Sequence, residues 1–377
     1  MSRPAHLLID REAARRNLSA LRARAPGSRL LAVVKADAYG HGMAAMAAAF
    51  RDADALGVAA LDEAEVLRAA GWRGAILLLE GVHRASDLPA ARRLDCELVV
   101  HRSGQIEALE AWSGPPFRIW LKADTGMHRL GFLPGEFRPA WERLMAAAAV
   151  AGPPVLMTHL ANAQARDQAS IAAQVRLFDA VTQGLPGARS IANSAALLAA
   201  PTTHRDWVRP GLALYGVSPF EGVDAPPEGL APVMHFASEL IAVRRIPAGG
   251  AIGYGGCFTC PRNMTIGVVA AGYGDGYPTG DLTGTPVLVN GVTTRVLGRS
   301  SMDMLTVDLE PVPGAREGDP VELWGGRISV AAVARHAGSL PWALLCAARL
   351  RVPRAELRPL SEEGPAFLRA LAGSREA

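Results

Sequence analysis

The chain has 377 residues, half of them hydrophobic and a fifth charged, with a formal net charge of +3. That length holds two domains, or one large barrel with an appendage, and the composition is that of a globular chain rather than a disordered one. So small a charge, with no basic run of five residues, argues against nucleic acid as a partner, and no window approaches the roughly 18 uncharged apolar residues of a membrane span. The opening MSRPAHLLIDREAARR has no apolar core of signal-peptide length. Four cysteines are too few for a disulfide framework. Cys257 and Cys260 form a C-x-x-C without the second pair a zinc site needs, so no metal is expected and the thiols read as reduced, in a cytoplasmic protein.

Up to about residue 215, apolar β-rich runs alternate with helical patterns. The runs are LLAVV (30–34), ALGVAA (55–60), AILLL (75–79), CELVV (96–100), FRIWL (117–121), VLMT (155–158), RSIA (189–192) and DWV (206–208). Between them lie helical segments such as DEAEVLRAAG (62–71), SGQIEALEAW (103–112) and QASIAAQVRLFDAV (168–181). Continuous apolar strands alternating with helices predict a parallel sheet covered on both faces, and eight such units predict a closed (β/α)8 barrel. The last two runs are weak enough that a count of seven is the alternative. EGVDAPPEGLAP (221–232) reads as a linker. Beyond it SELIAVRRI, TIGVVAAGY, TPVLVNG, TRVLG, MLTVDL and DPVELWGG are strand-like runs punctuated by Gly and Pro, followed by helical ISVAAVARHAG and ALLCAARLR. This predicts a second, mainly antiparallel β domain.

Of 39 basic residues only two are lysines, Lys35 in LLAVVKADAYGHG and Lys122 in IWLKADTGMHRLGF. Arginine can replace lysine as a surface charge but stays protonated. Only lysine can shed its proton, attack a carbonyl to form a Schiff base, or take up carbon dioxide as a carbamate. Lys35, Glu80, His101, Lys122, His159, Asn193 and Arg209 each follow one of the apolar runs. In a parallel barrel those positions gather on the C-terminal rim, where active sites of this architecture form. Glu80 and His101 read as ordinary polar strand ends, and the remainder, converging on one mouth, as functional.

The segments AVVKADAYGHG, LKADTGMHRLGF, THLANA, NSAA, VRPGLALYG, IGYGG, GYGDGYP and GRSSMDM run in that order from residue 32 to 304, with RLRVPR at 349–354. They resemble the signature segments of the alanine racemase family, and the likeness covers nearly the whole chain. The resemblance implies a pyridoxal 5′-phosphate (PLP) enzyme that interconverts L- and D-alanine for cell-wall synthesis. It further implies a PLP-binding barrel over 1–230, a β domain over 231–377, and a head-to-tail homodimer in which each β domain completes the partner's site.

The resemblance also implies a role for each matching residue. Lys35 carries the cofactor as a Schiff base and serves as base for the D-enantiomer, while Tyr254 serves the L-enantiomer from the partner subunit. Two bases are also what the chemistry asks for, because the proton leaves one face of Cα and returns to the other. Arg209 faces the pyridine nitrogen; as a group that only donates, it leaves that nitrogen unprotonated and limits side reactions such as transamination. His159 would hold Arg209. Asn193, Ser194, Gly211, Leu212 and Tyr39 surround the cofactor, the last four as phosphate donors. Arg129 approaches the phenolic oxygen and the substrate carboxylate. Lys122 matches a lysine carbamylated in many relatives, whose carbamate would clamp Arg129 by a charge-assisted pair. Met302, through its backbone N–H, and Asp303 match a partner-chain group at the substrate carboxylate, and Tyr273, Arg299 and Trp342 mark the entrance. GYGDGYPTG mimics a dinucleotide loop but lacks the strand–turn–helix context of one.

Two positions depart from the family pattern. Thr279 stands where an arginine is usual, and Trp342 where a phosphate-contacting tyrosine is usual. Both bear on substrate range, so a broad-specificity amino-acid racemase is the nearest alternative. A decarboxylase of the same fold would be expected to place an acid where Arg209 stands. A PLP-binding carrier protein would resemble the barrel alone, without the β domain that holds Tyr254.

Overall fold

Strand β1 (His6–Ile9) opens the chain but does not join the strands that follow it. The computed structural model describes residues 3–348, 351 and 354–356, so most of the RLRVPR segment lies outside the described residues. Two units are distinguished. One holds the residues up to Ala14 together with Tyr215–Ser218 and the chain from Gly222 onward; the other holds Arg15–Leu214 and Pro219–Glu221.

The second of these is the barrel. Its strands are β2 (Arg29–Val33), β3 (Ala55–Val58), β4 (Ala75–Leu78), β5 (Cys96–Val100), β6 (Ile119–Lys122), β7 (Val155–Met157), β8 (Arg189–Ser190) and β9 (Trp207–Val208). Each pairs in parallel with the next, and β9 closes on β2 through Arg29 opposite Trp207 and Leu30 opposite Val208. All eight apolar runs become strands. The two weakest in sequence are also the shortest, two residues each, because closure asks of them only one or two pairings.

Strand side chains alternate between faces, and one alternate set fills the barrel: Leu31, Val33, Ala55, Leu77, Val99, Trp120, Met157 and Trp207. Trp120 and Trp207 meet at its centre with ring centroids 5.2 Å apart. Two residues further along the same strands stand Lys35 after Val33, His101 after Val99, Lys122 after Trp120, His159 after Met157 and Arg209 after Trp207. The polar set is thus the next layer above an apolar plug, which is why it reaches the C-terminal mouth.

The other unit is a sheet built on β10 (Met234–Ile246), beside a separate two-stranded pair of β11 (Ala251–Ile252) and β12 (Phe258–Thr259), and with β13 (Met264–Val269), β14 (Pro286–Val289), β15 (Val292–Arg295), β16 (Leu305–Asp308), β17 (Pro320–Trp324) and β18 (Arg354–Glu356) in the larger sheet. The order β15-β14-β17-β10-β1-β18 is antiparallel except for β1 with β18. The 13-residue β10 pairs with β1 and β17 through its first half and with β13 through its second. A boundary drawn along the chain at 230/231 misses β1, which buries Leu7, Leu8 and Ile9 and exchanges its backbone hydrogen bonds with β10. Four residues cannot declare their sheet, since both candidate partners lie more than two hundred residues away. Among the described residues no single helix is long and apolar enough to cross a membrane.

Trp120→Ala is expected to cost about 3–5 kcal/mol, because Trp120 is fully buried and its indole N–H donates to Glu97 at 2.7 Å. A urea midpoint lowered without a change of slope would show it; an unmoved midpoint would mean the plug is not what holds the barrel.

Candidate active site

The loop after β2 has an unusual backbone. Ala36, Asp37, Ala38 and Tyr39 take φ values of 53–54°, a left-handed turn made without glycine. Each such residue costs roughly 1–2 kcal/mol, and strain of this kind concentrates at functional sites. The turn is pinned on several sides. Glu63 accepts from the N–H groups of Ala36 (2.6 Å) and Ala59 (2.8 Å), and Asp37 accepts from that of Met43 (2.7 Å). His41 Nδ1 lies 2.9 Å from the carbonyls of both Ala38 and Tyr39. The turn begins at Lys35 and returns Tyr39 to the apolar plug. A Cβ on Gly211 would lie 2.5 Å from the Tyr39 hydroxyl, so glycine is required for that approach.

Positive charge crowds the mouth. Lys122 is buried, and burial followed by the charges of Arg209, Arg129 and Lys35 lowers its pKa to about 8, with Asp124 opposing. Burial and the same cations together with Lys122 hold the His159 imidazole well below its usual pKa, so it is neutral at physiological pH. Burial lowers Arg209 to about 10, which leaves it charged. The carboxylate of Asp124 is engaged by its own loop: Oδ1 accepts from the N–H groups of Gly126, Met127 and His128 at 3.0–3.1 Å. These bonds, working against burial, keep it below the ordinary aspartate range. That loop presents the exposed Arg129.

Arg209 is anchored by neutral oxygens. It donates to Ser190 Oγ (2.5 Å) and to the Thr158 carbonyl (2.6 Å), while His159 Nδ1 lies farther off at 3.5 Å. Ser190 in turn donates to the Trp207 carbonyl at 3.0 Å. Ser190, Thr158 and Glu63 were not singled out from sequence. For Ser190 the signal existed, since it stands on the inward alternation of β8, two residues beyond Ala188.

Ser194 Oγ accepts from the N–H groups of Gly211 (2.8 Å) and Ala213 (3.3 Å), and the Asn193 side chain caps the helix Ser194–Ala199 through Ala196 N–H (3.1 Å). Leu212 is buried beside them. On the same rim His101 contacts the Glu80 carbonyl (3.1 Å) and Gln105 bonds to both loops, so Glu80 and His101 tie strand ends together.

The remaining residues lie on the sheet unit. Tyr254 follows β11 and is 73% exposed. Nearby, Arg299 Nε donates to Cys257 Sγ at 3.1 Å. Tyr273 and Met302 are also exposed, and their loops are stitched by Gly274 N–H to the Met302 carbonyl at 2.8 Å. Beneath them buried Asp275 accepts from Arg3 (2.7 Å) and Arg351 (2.9 Å), and Arg351 also pairs with the Asp303 carboxylate. Asp303 is therefore engaged within its own unit. Trp342 is half-buried in the helix Pro341–Ala347, and Thr279 is exposed.

Residues 9–219 match the family model for the alanine racemase N-terminal domain and residues 233–356 that for the alanine racemase C-terminal domain. The chain is 48% identical to the alanine racemase of Halorhodospira halophila over 94% of its own length and 98% of that protein. Among solved structures it is similar to the biosynthetic alanine racemase of Pseudomonas aeruginosa, with a TM-score of 0.91 and 42% identity over 94% of this chain and 99% of that one. It is also similar to the alanine racemase of Bartonella henselae with covalently bound pyridoxal phosphate, with a TM-score of 0.83 and 28% identity over 94% and 99% of the two chains.

The Lys122 shift has a consequence for stability. Between about pH 8 and the ordinary lysine pKa near 10.4, the unfolded chain carries a proton that the folded chain has lost, so stability rises with pH across that window. In buffer free of carbon dioxide the native chain should gain on the order of 3 kcal/mol more than Lys122→Met over this range. Parallel stability–pH curves for the two chains would refute the assignment.

Proposed function

The chain belongs to the alanine racemase family and carries its activity, the interconversion of L- and D-alanine, and we propose that Lys35 and Tyr254 move the Cα proton on opposite faces with PLP bound at the barrel mouth. The supporting observation is the positive charge gathered on Lys122 beside the half-buried primary amine of Lys35: Arg209, Arg129 and Lys35 all act on Lys122, while Asp124 is occupied by its loop. Such a mouth suits an anionic ligand that carries an aldehyde.

The residues present fit that group. Tyr39, the Ser194 hydroxyl and the Leu212 backbone form a narrow donor set beside Gly211, whose N–H is held by Ser194 Oγ and whose Cβ, were there one, would crowd the Tyr39 hydroxyl. Arg209 would offer only N–H groups to the ring nitrogen and so deny it a proton, with neutral His159 beside it. When bound, PLP supplies the electron sink that makes a Cα proton removable. Lys35 Nζ would hold the coenzyme, and it would take or return the Cα proton on one face. Tyr254 Oη does so on the other. Arg129 would meet the substrate carboxylate, with the Met302 backbone N–H, presented beside Asp303 by a second copy of the chain, as a further donor.

Tyr254, Tyr273, Met302, Met304 and Leu340 are large side chains left exposed on the sheet unit, as residues buried by a second copy of the chain would be. A homodimer in which Tyr254 serves the other copy's barrel is the assembly this reading requires. Lys122 as a carbamate would give Arg129 an anionic partner, and its lowered pKa supplies the neutral amine that carbon dioxide needs. The D-alanine formed would serve cell-wall synthesis. Thr279 and Trp342 keep a broader amino-acid range in view, which turnover of serine and lysine beside alanine would reveal.

Borohydride reduction of the PLP-loaded protein should tag Lys35 alone; a tag elsewhere would remove the basis of the reading. Tyr254→Phe should lower racemisation by about 10²–10⁴-fold while leaving the Lys35 tag intact, and a rate within twofold of native would end the two-base scheme. After equilibration with ¹³C-bicarbonate, a carbamate carbon signal present in the native chain and lost in Lys122→Ala is expected. Identical spectra would exclude the carbamate.

A further inference from the structure

Gln174 occupies a place where the helical period asks for an apolar residue. The buried positions of the helix Gln168–Thr182 are Ile171, Gln174, Phe178 and Thr182. Its amide reaches two rim loops at once. Oε1 accepts from the Ala161 N–H (2.9 Å), and Nε2 donates to the His159 carbonyl (3.3 Å) and to the Thr125 hydroxyl (3.2 Å). Each threonine hydroxyl has one proton to give, and that of Thr158 goes to the Ala123 carbonyl at 3.1 Å. Thr125 Oγ1, 2.8 Å from Thr158 Oγ1, is therefore the donor in that pair. The bonds run in one direction, from the Gln174 amide through Thr125 and Thr158 to Ala123. Thr158 is also the residue whose carbonyl anchors Arg209. Gln174, Thr125 and Thr158 are all buried, where an unmade hydrogen bond is costly.

We infer that Gln174 is a positioning residue of the racemisation site. Its side-chain amide fastens the loop that carries Arg129 to the loop that carries His159 and, through Thr158, sets the place of Arg209. This rests on the barrel mouth being the reaction centre, as argued above. Gln174 itself touches neither substrate nor reacting atoms; it acts through two arginines that arrive on different strands.

The test compares the native chain with Gln174→Leu, Thr125→Val and the double variant. Without added PLP, hydrogen exchange in peptides covering 124–131 and 159–163 should speed up roughly tenfold or more in Gln174→Leu, with exchange over 81–87 unchanged, since loop protection reports local opening. With PLP and alanine, kcat should fall roughly tenfold to a hundredfold in each single variant. The double variant should lose little more than either, because partners in one network are not additive. Should Gln174→Leu not fold, Gln174→Glu keeps the side-chain length and the Oε1 acceptor and carries the same comparison. Native exchange rates in the two loops, a kcat within twofold of native, or additive losses would each overturn the inference. If the native protein failed to racemise alanine while the exchange result held, the proposed function would fall and the amide link would stand.

Discussion

Positive charge gathered on Lys122 at the barrel mouth is the constraint on which the rest of this structure turns. Arg209, Arg129 and Lys35 all act on Lys122 there, and Asp124, the carboxylate that opposes them, is occupied by three amides of its own loop. Neighbouring cations repel, and burial disfavours the charge on the two that lie deepest, Lys122 and Arg209. His159 responds by staying neutral and Lys122 by giving up its proton from about pH 8 upward, while Arg209 stays charged and is held by a hydroxyl and a carbonyl. Such a balance of charge suits an anionic ligand.

The scaffold that tolerates this repulsion is apolar below and hydrogen-bonded around. The Trp120–Trp207 plug closes the barrel one layer beneath the charges. Around the rim, two buried glutamines join neighbouring loops, Gln105 between the loops after β4 and β5 and Gln174 between those after β6 and β7. A neutral amide both donates and accepts, so it can tie backbone to backbone without adding charge to a mouth that already has too much.

The sheet unit handles charge in the opposite way. Arg3 and Arg351, from the two ends of the chain, converge on Asp275 and Asp303 and pair with them. Those pairs lie under the loops that present Tyr273 and Met302, and the close stitching of Gly272 against Ser301 leaves no room for a Cβ. Neutralised and tightly packed, these loops offer exposed side chains on a firm base, which suits groups meant to act on another surface.

Much of this was legible before any coordinates. The apolar runs specify the parallel strands because a strand covered on both faces has to be apolar throughout, and the residue after each run falls on the rim by geometry alone. The lysine at position 35 stood out because no guanidinium can perform its chemistry. What the chain could not declare were the relations that depend on distant partners. Strand β1 joins β10 across more than two hundred residues, and the left-handed turn at Ala36–Tyr39 arises without a glycine because Glu63 and Asp37 hold it. Gln174 looks like a flaw in an amphipathic helix until the two loops it bridges are seen. Local pattern determines which residues reach the mouth, because side-chain alternation is a property of each strand taken alone. Which charges act on Lys122, and which bonds hold Arg209, was decided only when the strands closed into a ring.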